Sequence, residues 1–132
     1  MAVKVTYEDV GVVIPFLMKV LLSTNTSKPM FGKDIVTLVN DKLELNEAFN
    51  QFRLRICINY MRKTEMLPII SGSRGYWVSY NVEEMVINAE SLESRANAIL
   101  HASNGMRSMI KKIVKLQKKH SKMRDENKKY DF

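Results

Sequence analysis

Residues 67–79, LPIISGSRGYWVS, decide how the rest of the chain must be arranged. Two short runs of β-branched and aromatic residues flank a loop of serine, glycine and one arginine, which reads as a β-hairpin. Gly72 and Gly75 are expected to supply the positive φ angles of the reversal. A lone two-stranded hairpin is marginal in water, so this one has to lean on its neighbours. Ile69, Tyr76 and Val78 are the side chains placed to do so, while Arg74 sits at the tip between the two glycines.

Upstream, three helices are expected. Thr6, with Asp9 three residues on, is a helix-start pattern, because the hydroxyl caps and the acid favours the positive end of the dipole. The segment VGVVIPFLMKVLLSTN is apolar nearly all round, as a buried helix is, with Pro15 marking either its regular start or a kink. GKDIVTLVNDKL places Ile35, Leu38, Val39 and Leu43 on one face of a second helix. Asn46 is the expected cap of a third, about Glu47–Lys63. On a helical wheel its apolar arc centres on Phe49, Phe52, Ile56 and Tyr60 and is widened by Leu54, Cys57, Ile58 and Met61. Gln51, Arg55, Asn59 and Arg62 form the opposite stripe, and Arg53, on the apolar side, is expected to snorkel outward.

Downstream, Asn81 with Glu84 resembles a capping box that opens a long fourth helix. Met85, Leu92, Ile99, Met106 and Ile113 recur every seven residues, with Ala89, Ala96, Ser103 and Ile110 between them. That heptad predicts helix pairing. A short amphipathic helix lying on its own domain accounts for the first members, but Ile99 through Ile113 extend too far for a domain of this size. Asn104-Gly105 offers a place for the helix to break, and beyond Leu116 the text becomes too polar to pack. The expected organisation is a domain over residues 1–80, a long helix over 81–116 and a frayed basic tail over 117–132.

Helix, helix, helix, hairpin, long helix is the plan of a winged helix-turn-helix: a mainly α fold in which the hairpin is the wing. FRLRICINYMRKTEMLPIISGSRGYWVS, with SLESRANAIL downstream, resembles small winged-helix proteins of bacteriophages and mobile elements. The features that carry the likeness are Arg55, Ile56, Asn59, Tyr60 and Arg62, then Pro68-Ile69-Ile70 and Gly75-Tyr76-Trp77, then Ser91-Leu92 and Arg95-Ala96. It covers about residues 12–100 and speaks to fold more than to role. The chain departs from the pattern at Phe31-Gly32, where a Ser or Thr cap is usual, and in its basic tail.

On that plan the outward edge of the third helix enters the major groove of double-stranded DNA. Arg reads guanine and Gln or Asn reads adenine bidentately, so Gln51, Arg55, Asn59 and Arg62 are the expected base readers, with Lys63 beside them. Ser73 and Arg74, with Ser71, are expected to touch phosphate or the minor groove from the wing. A solvated helix face and a plain turn remain the simpler readings of the same residues. Trp77, on the opposite side of its strand from Tyr76, is expected to pack under the last helix.

The net charge of +7 is unevenly placed. Residues 1–106 hold eleven basic and eleven acidic residues, whereas residues 107–132 hold ten basic residues against three acids. The tail therefore suits phosphate neutralisation without sequence readout. Catalysis finds little support: His101 and His120 lack ligand partners at metal spacing, no phosphate-cradling loop follows a strand, and Cys57 reads as a buried small hydrophobe. No cofactor is implied. One cysteine and no segment long enough to span a bilayer point to a cytoplasmic protein, in a host cytoplasm if phage-encoded.

The expected function is sequence-preferring DNA binding as a homodimer through Met85, Ala89, Leu92, Ala96, Ile99, Met106, Ile110 and Ile113, in regulation, replication or packaging. Two rivals stay open. One is a protein-interaction adaptor that uses the long helix as a docking rod; the other is non-specific binding through Lys111–Phe132 alone.

Overall fold

The structure, a computed structural model, describes residues 4–129 of the chain. It is a winged helix followed by a long C-terminal helix. The chain divides into one unit ending at Ala89 and a second that starts at Glu90.

Thr6 and Asp9 form the anticipated cap: the Asp9 N–H donates to Thr6 Oγ1 and the Thr6 N–H to Asp9 Oδ2, both at 3.0 Å. Helical backbone then begins at Tyr7 and passes through a π-helical stretch, Asp9–Val13, into α1, Ile14–Leu22. The regular helix thus starts with Pro15 in its first turn, as anticipated, but π-helical backbone already leads into it. The Ile14 N–H bonds back to Asp9 O, and this wider turn stands just where the proline ring would crowd a regular one. Helix α2, Gly32–Lys42, has Phe31 as its N-cap with no side-chain bond, in line with the missing Ser or Thr.

Helix α3 spans Gln51–Lys63, and its cap is Asn50, not Asn46. Asn50 Oδ1 accepts from the Arg53 N–H at 2.8 Å. The chain before it is held out of the helix by Asn40, whose amide donates to Phe49 O (2.9 Å) and accepts from the Phe49 N–H (3.0 Å). Phe49 itself is buried. A second correction concerns rotation. The residues of α3 that enter the core are Leu54, Cys57, Ile58 and Met61, while Phe52 is 53% exposed. At 100° per residue, the buried arc lies roughly 145° from the predicted centre.

Strands β1, Ile69–Gly72, and β2, Gly75–Val78, pair antiparallel with Ile69 opposite Val78 and Ile70 opposite Trp77. Ile69 and Val78 join the core formed by Val13, Leu17 and Leu21 from the first helix and Ile35 and Val39 from α2, with Tyr76 packed at its margin. Met30 adds a one-residue third rung, exchanging both N–H···O bonds with Tyr76 at 2.8 and 2.9 Å. Only Gly75 has the positive φ expected of both glycines (+102°). A Cβ there would stand 2.2 Å from the Met30 carbonyl oxygen, so the Met30 rung itself excludes a side chain. Gly72 instead leaves room for the Trp77 ring, 3.3 Å from where its Cβ would be.

Helix α4, Val82–Lys129, is unbroken, through Asn104-Gly105 and through the polar stretch after Leu116 where fraying was expected. Asn81 caps it, accepting from the Glu84 N–H at 3.1 Å. Its first turns belong with the winged-helix unit, where Asn88 Oδ1 accepts from the Ser71 N–H at 3.1 Å. Among the described residues, no helix is long and apolar enough to cross a membrane.

Candidate nucleic-acid interface

The four arginines between positions 53 and 74 divide into three that are tied into the fold and one that is not. Arg53 does not snorkel. Its Nε and Nη2 donate to Asp9 Oδ1 at 3.0 and 2.7 Å, and Nη2 reaches Glu8 Oε1 at 3.1 Å. Asp9 is 1% exposed, so its charge has no solvent of its own and depends on this pair. Burial pulls the guanidinium pKa down, but the bonds to Asp9 and Glu8 outweigh it and leave it raised. Burial first, and the Asp9 charge second, push the nearby Cys57 thiol up to about 12. Cys57 therefore stays a protonated, inert core residue.

Arg62, predicted as a base reader, is half-buried and donates from Nε to Ile69 O and from Nη2 to Ser71 Oγ, each at 2.9 Å. It fastens α3 to the hairpin and engages Ser71 in doing so. Arg74, predicted as a free wing contact, donates from Nη2 to Thr26 O at 3.0 Å and lies 5.5 Å over the Trp77 ring. Glu84 completes this corner. Its carboxylate accepts from the Ser79 hydroxyl and from Thr26 Oγ1. The Ser79 bond first, then Thr26, hold its pKa below the usual carboxylate range. The Trp77 Nε1–H, buried and outside hydrogen-bond geometry with any acceptor, adds to that attraction, as does the Arg74 charge. Trp77 is buried, as expected.

Arg55 is exposed, and its side chain has no intramolecular hydrogen bond or ion pair among the described residues; the same holds for the side chains of Gln51, Asn59 and Lys63. Gln51, Arg55 and Asn59 follow one another at single-turn intervals and cover about 12 Å of helix axis. Phe52 and Lys63 share the outward side, and no acid lies on it between Gln51 and Lys63. The Gln51 side chain lies against the start of α2: its Oε1 is 3.4 Å from where a Cβ on Gly32 would be. Phe31, at that same helix start, is exposed with Lys33 Nζ 6.0 Å from its ring centroid. Ser73 remains exposed at the hairpin tip. The structure thus brings Gln51, Arg55, Asn59 and Lys63 onto one surface, ties Arg62 to the hairpin through two donors, and leaves Arg74 exposed with one donor on Thr26.

Sequence reasoning missed Phe52 and Phe31. An aromatic residue inside an apolar arc carries no mark that it faces water, and Phe31 stood out only as an unusual cap.

On α4, Met85 is partly exposed, Ala89 exposed and Leu92 half-buried. Ala96 is exposed, and Ile99, Met106, Ile110 and Ile113 are between 52 and 70% exposed.

Amide and guanidinium groups at single-turn spacing on one helix edge, without acids, are the donor and acceptor types that can make paired hydrogen bonds to base edges. No family profile, curated protein or solved structure matches this chain.

Proposed function

We propose that this protein binds double-stranded DNA, reading the major groove with α3 and dimerising through α4. A small phage-type regulator or a replication or packaging accessory is the role we assign. The observation that carries the reading is the uncommitted row Gln51, Arg55 and Asn59, when Arg53 and Arg62 are bonded into the fold and Arg74 is bonded to Thr26 O. Lys63 adds a phosphate contact at the end of the row, and Ser73 a weak one from the wing. Arg62 and Arg74 take supporting roles: they hold the reading helix and the hairpin in fixed relation.

The test is a gel-shift titration on fragments selected from genomic DNA by the purified protein. Arg55→Ala is expected to cost about 1–3 kcal/mol on the preferred fragment and to relax its sequence preference. Its thermal stability should match that of the parent, since Arg55 holds nothing in place. Unchanged affinity and preference would remove the recognition role from α3.

Phe52, 53% exposed in the middle of the same face, favours a second reading. Here the face docks a protein partner, and the balanced charge of residues 1–106 fits it. That reading predicts negligible DNA affinity at physiological salt and a stoichiometric protein complex.

A further inference from the structure

From Glu93 to Asp125 every residue of α4 is exposed. Its apolar side chains are not scattered. Ile99, Leu100, Met106, Met109, Ile110 and Ile113 lie between 50 and 70% exposed within four turns. A helix of this length gains little from propensity alone and takes its stability from burying such a face.

Two features of the stretch say what covers it. The first is size: from Leu92 to Met106 the seam alternates large and small (Leu92, Ala96, Ile99, Ser103, Met106), and Ile110 then follows as a second large residue. The second is charge: Glu90 and Glu93 stand at one end, while eight basic residues face a single acid between Arg107 and Asp125.

We propose that α4 pairs with a second copy of itself in antiparallel orientation, centred at the level of His101. Leu92 of one copy then faces Ile110 of the other, Ala96 faces Met106, and Ile99 faces Ser103. Ala96 and Ser103 each meet a large side chain, so neither leaves a small–small gap, and Leu92 with Ile110 makes a larger layer beyond them. Glu93 falls beside Arg107 of the other copy, and the acidic turn Glu90–Glu93 lies along the basic stretch Arg107–Lys112. Parallel pairing does the reverse. It sets Ala96 on Ala96 and Ser103 on Ser103, leaving gaps, and it places Glu93 two heptads away from Arg107. The proposal rests on the dimer part of the preceding reading and is independent of DNA.

Leu92→Cys and Ile110→Cys, prepared separately in the full chain and then mixed and oxidised, test the orientation. The native Cys57 is fully buried and does not compete. Mass spectrometry should find disulfides joining position 92 of one chain to position 110 of the other, with few joining like positions. Disulfides between like positions in either variant alone would overturn the antiparallel arrangement and leave the dimer standing. Sedimentation equilibrium supplies a second readout that needs no cysteine. Glu93→Arg should weaken the dimer about tenfold, counting two symmetric contacts reversed in sign, and Arg107→Glu in the same chain should restore it. Failure of that rescue would overturn the register. A parent protein that is monomeric at tens of micromolar would overturn both this proposal and the dimer reading.

Discussion

Asp9 shows how one residue changes the meaning of another far away in sequence. A carboxylate 1% exposed is expensive unless paired, and Arg53, 44 positions on, meets it with two N–H donors. The pair fastens the first helix to α3. Asp9→Asn leaves Arg53 with the partly exposed Glu8 as its remaining carboxylate and also weakens the reciprocal cap with Thr6. We expect a loss of about 3 kcal/mol in urea unfolding, with no loss of DNA affinity at temperatures where the variant is folded. Glu84 makes a different prediction. Its folded carboxyl holds its charge to lower pH than in the unfolded chain. The stabilisation is therefore present at neutral pH and is lost as pH falls through and below its ordinary value of 4.5. Acid titration of thermal stability should show a shallower decline in that window for Glu84→Gln than for the parent.

Elements show which devices are local. The Thr6–Asp9 cap, the hairpin and the Asn81 cap each join residues three to nine apart, and each formed where the local pattern placed it. The N-cap of α3 did not, because Asn40 captures both main-chain groups of Phe49 and postpones the helix by four residues. In α4, Gly105 was a plausible break and is instead mid-helix, with nothing within 4 Å of where a Cβ would stand. Its only effect there is to loosen the backbone. Gly105→Ala should stabilise the helix by about 0.5–1 kcal/mol, read as slower amide exchange across residues 102–108. Faster exchange would mean that the chain turns at this point in solution.

At the scale of the whole molecule, two kinds of anion contact are separable. The face of α3 offers few cations but several bidentate donors, whereas the end of α4 offers many cations and little else. Deleting residues 118–132 removes basic residues beyond the proposed seam. We expect DNA binding to survive the deletion with lower affinity and a shallower dependence on salt, and the loss on Arg55→Ala to persist. Complete loss of binding would assign the activity to the tail.

Element order, the wing and the heptad were legible in the sequence because each is written in spacing: alternation, capping at fixed offsets, or a repeat of seven. Gln51, Arg55 and Asn59 were legible for the same reason. The rotation of α3 was not. Its apolar residues span most of the wheel, so which arc turns inward depends on Val13, Ile35 and the other core partners rather than on α3 itself. Nor was the fate of the arginines, since Arg53, Arg62 and Arg74 are each claimed by acceptors that only folding brings near. Periodicity places a side chain on a face, but only tertiary packing decides whether that face, and the charge on it, is left to bind anything.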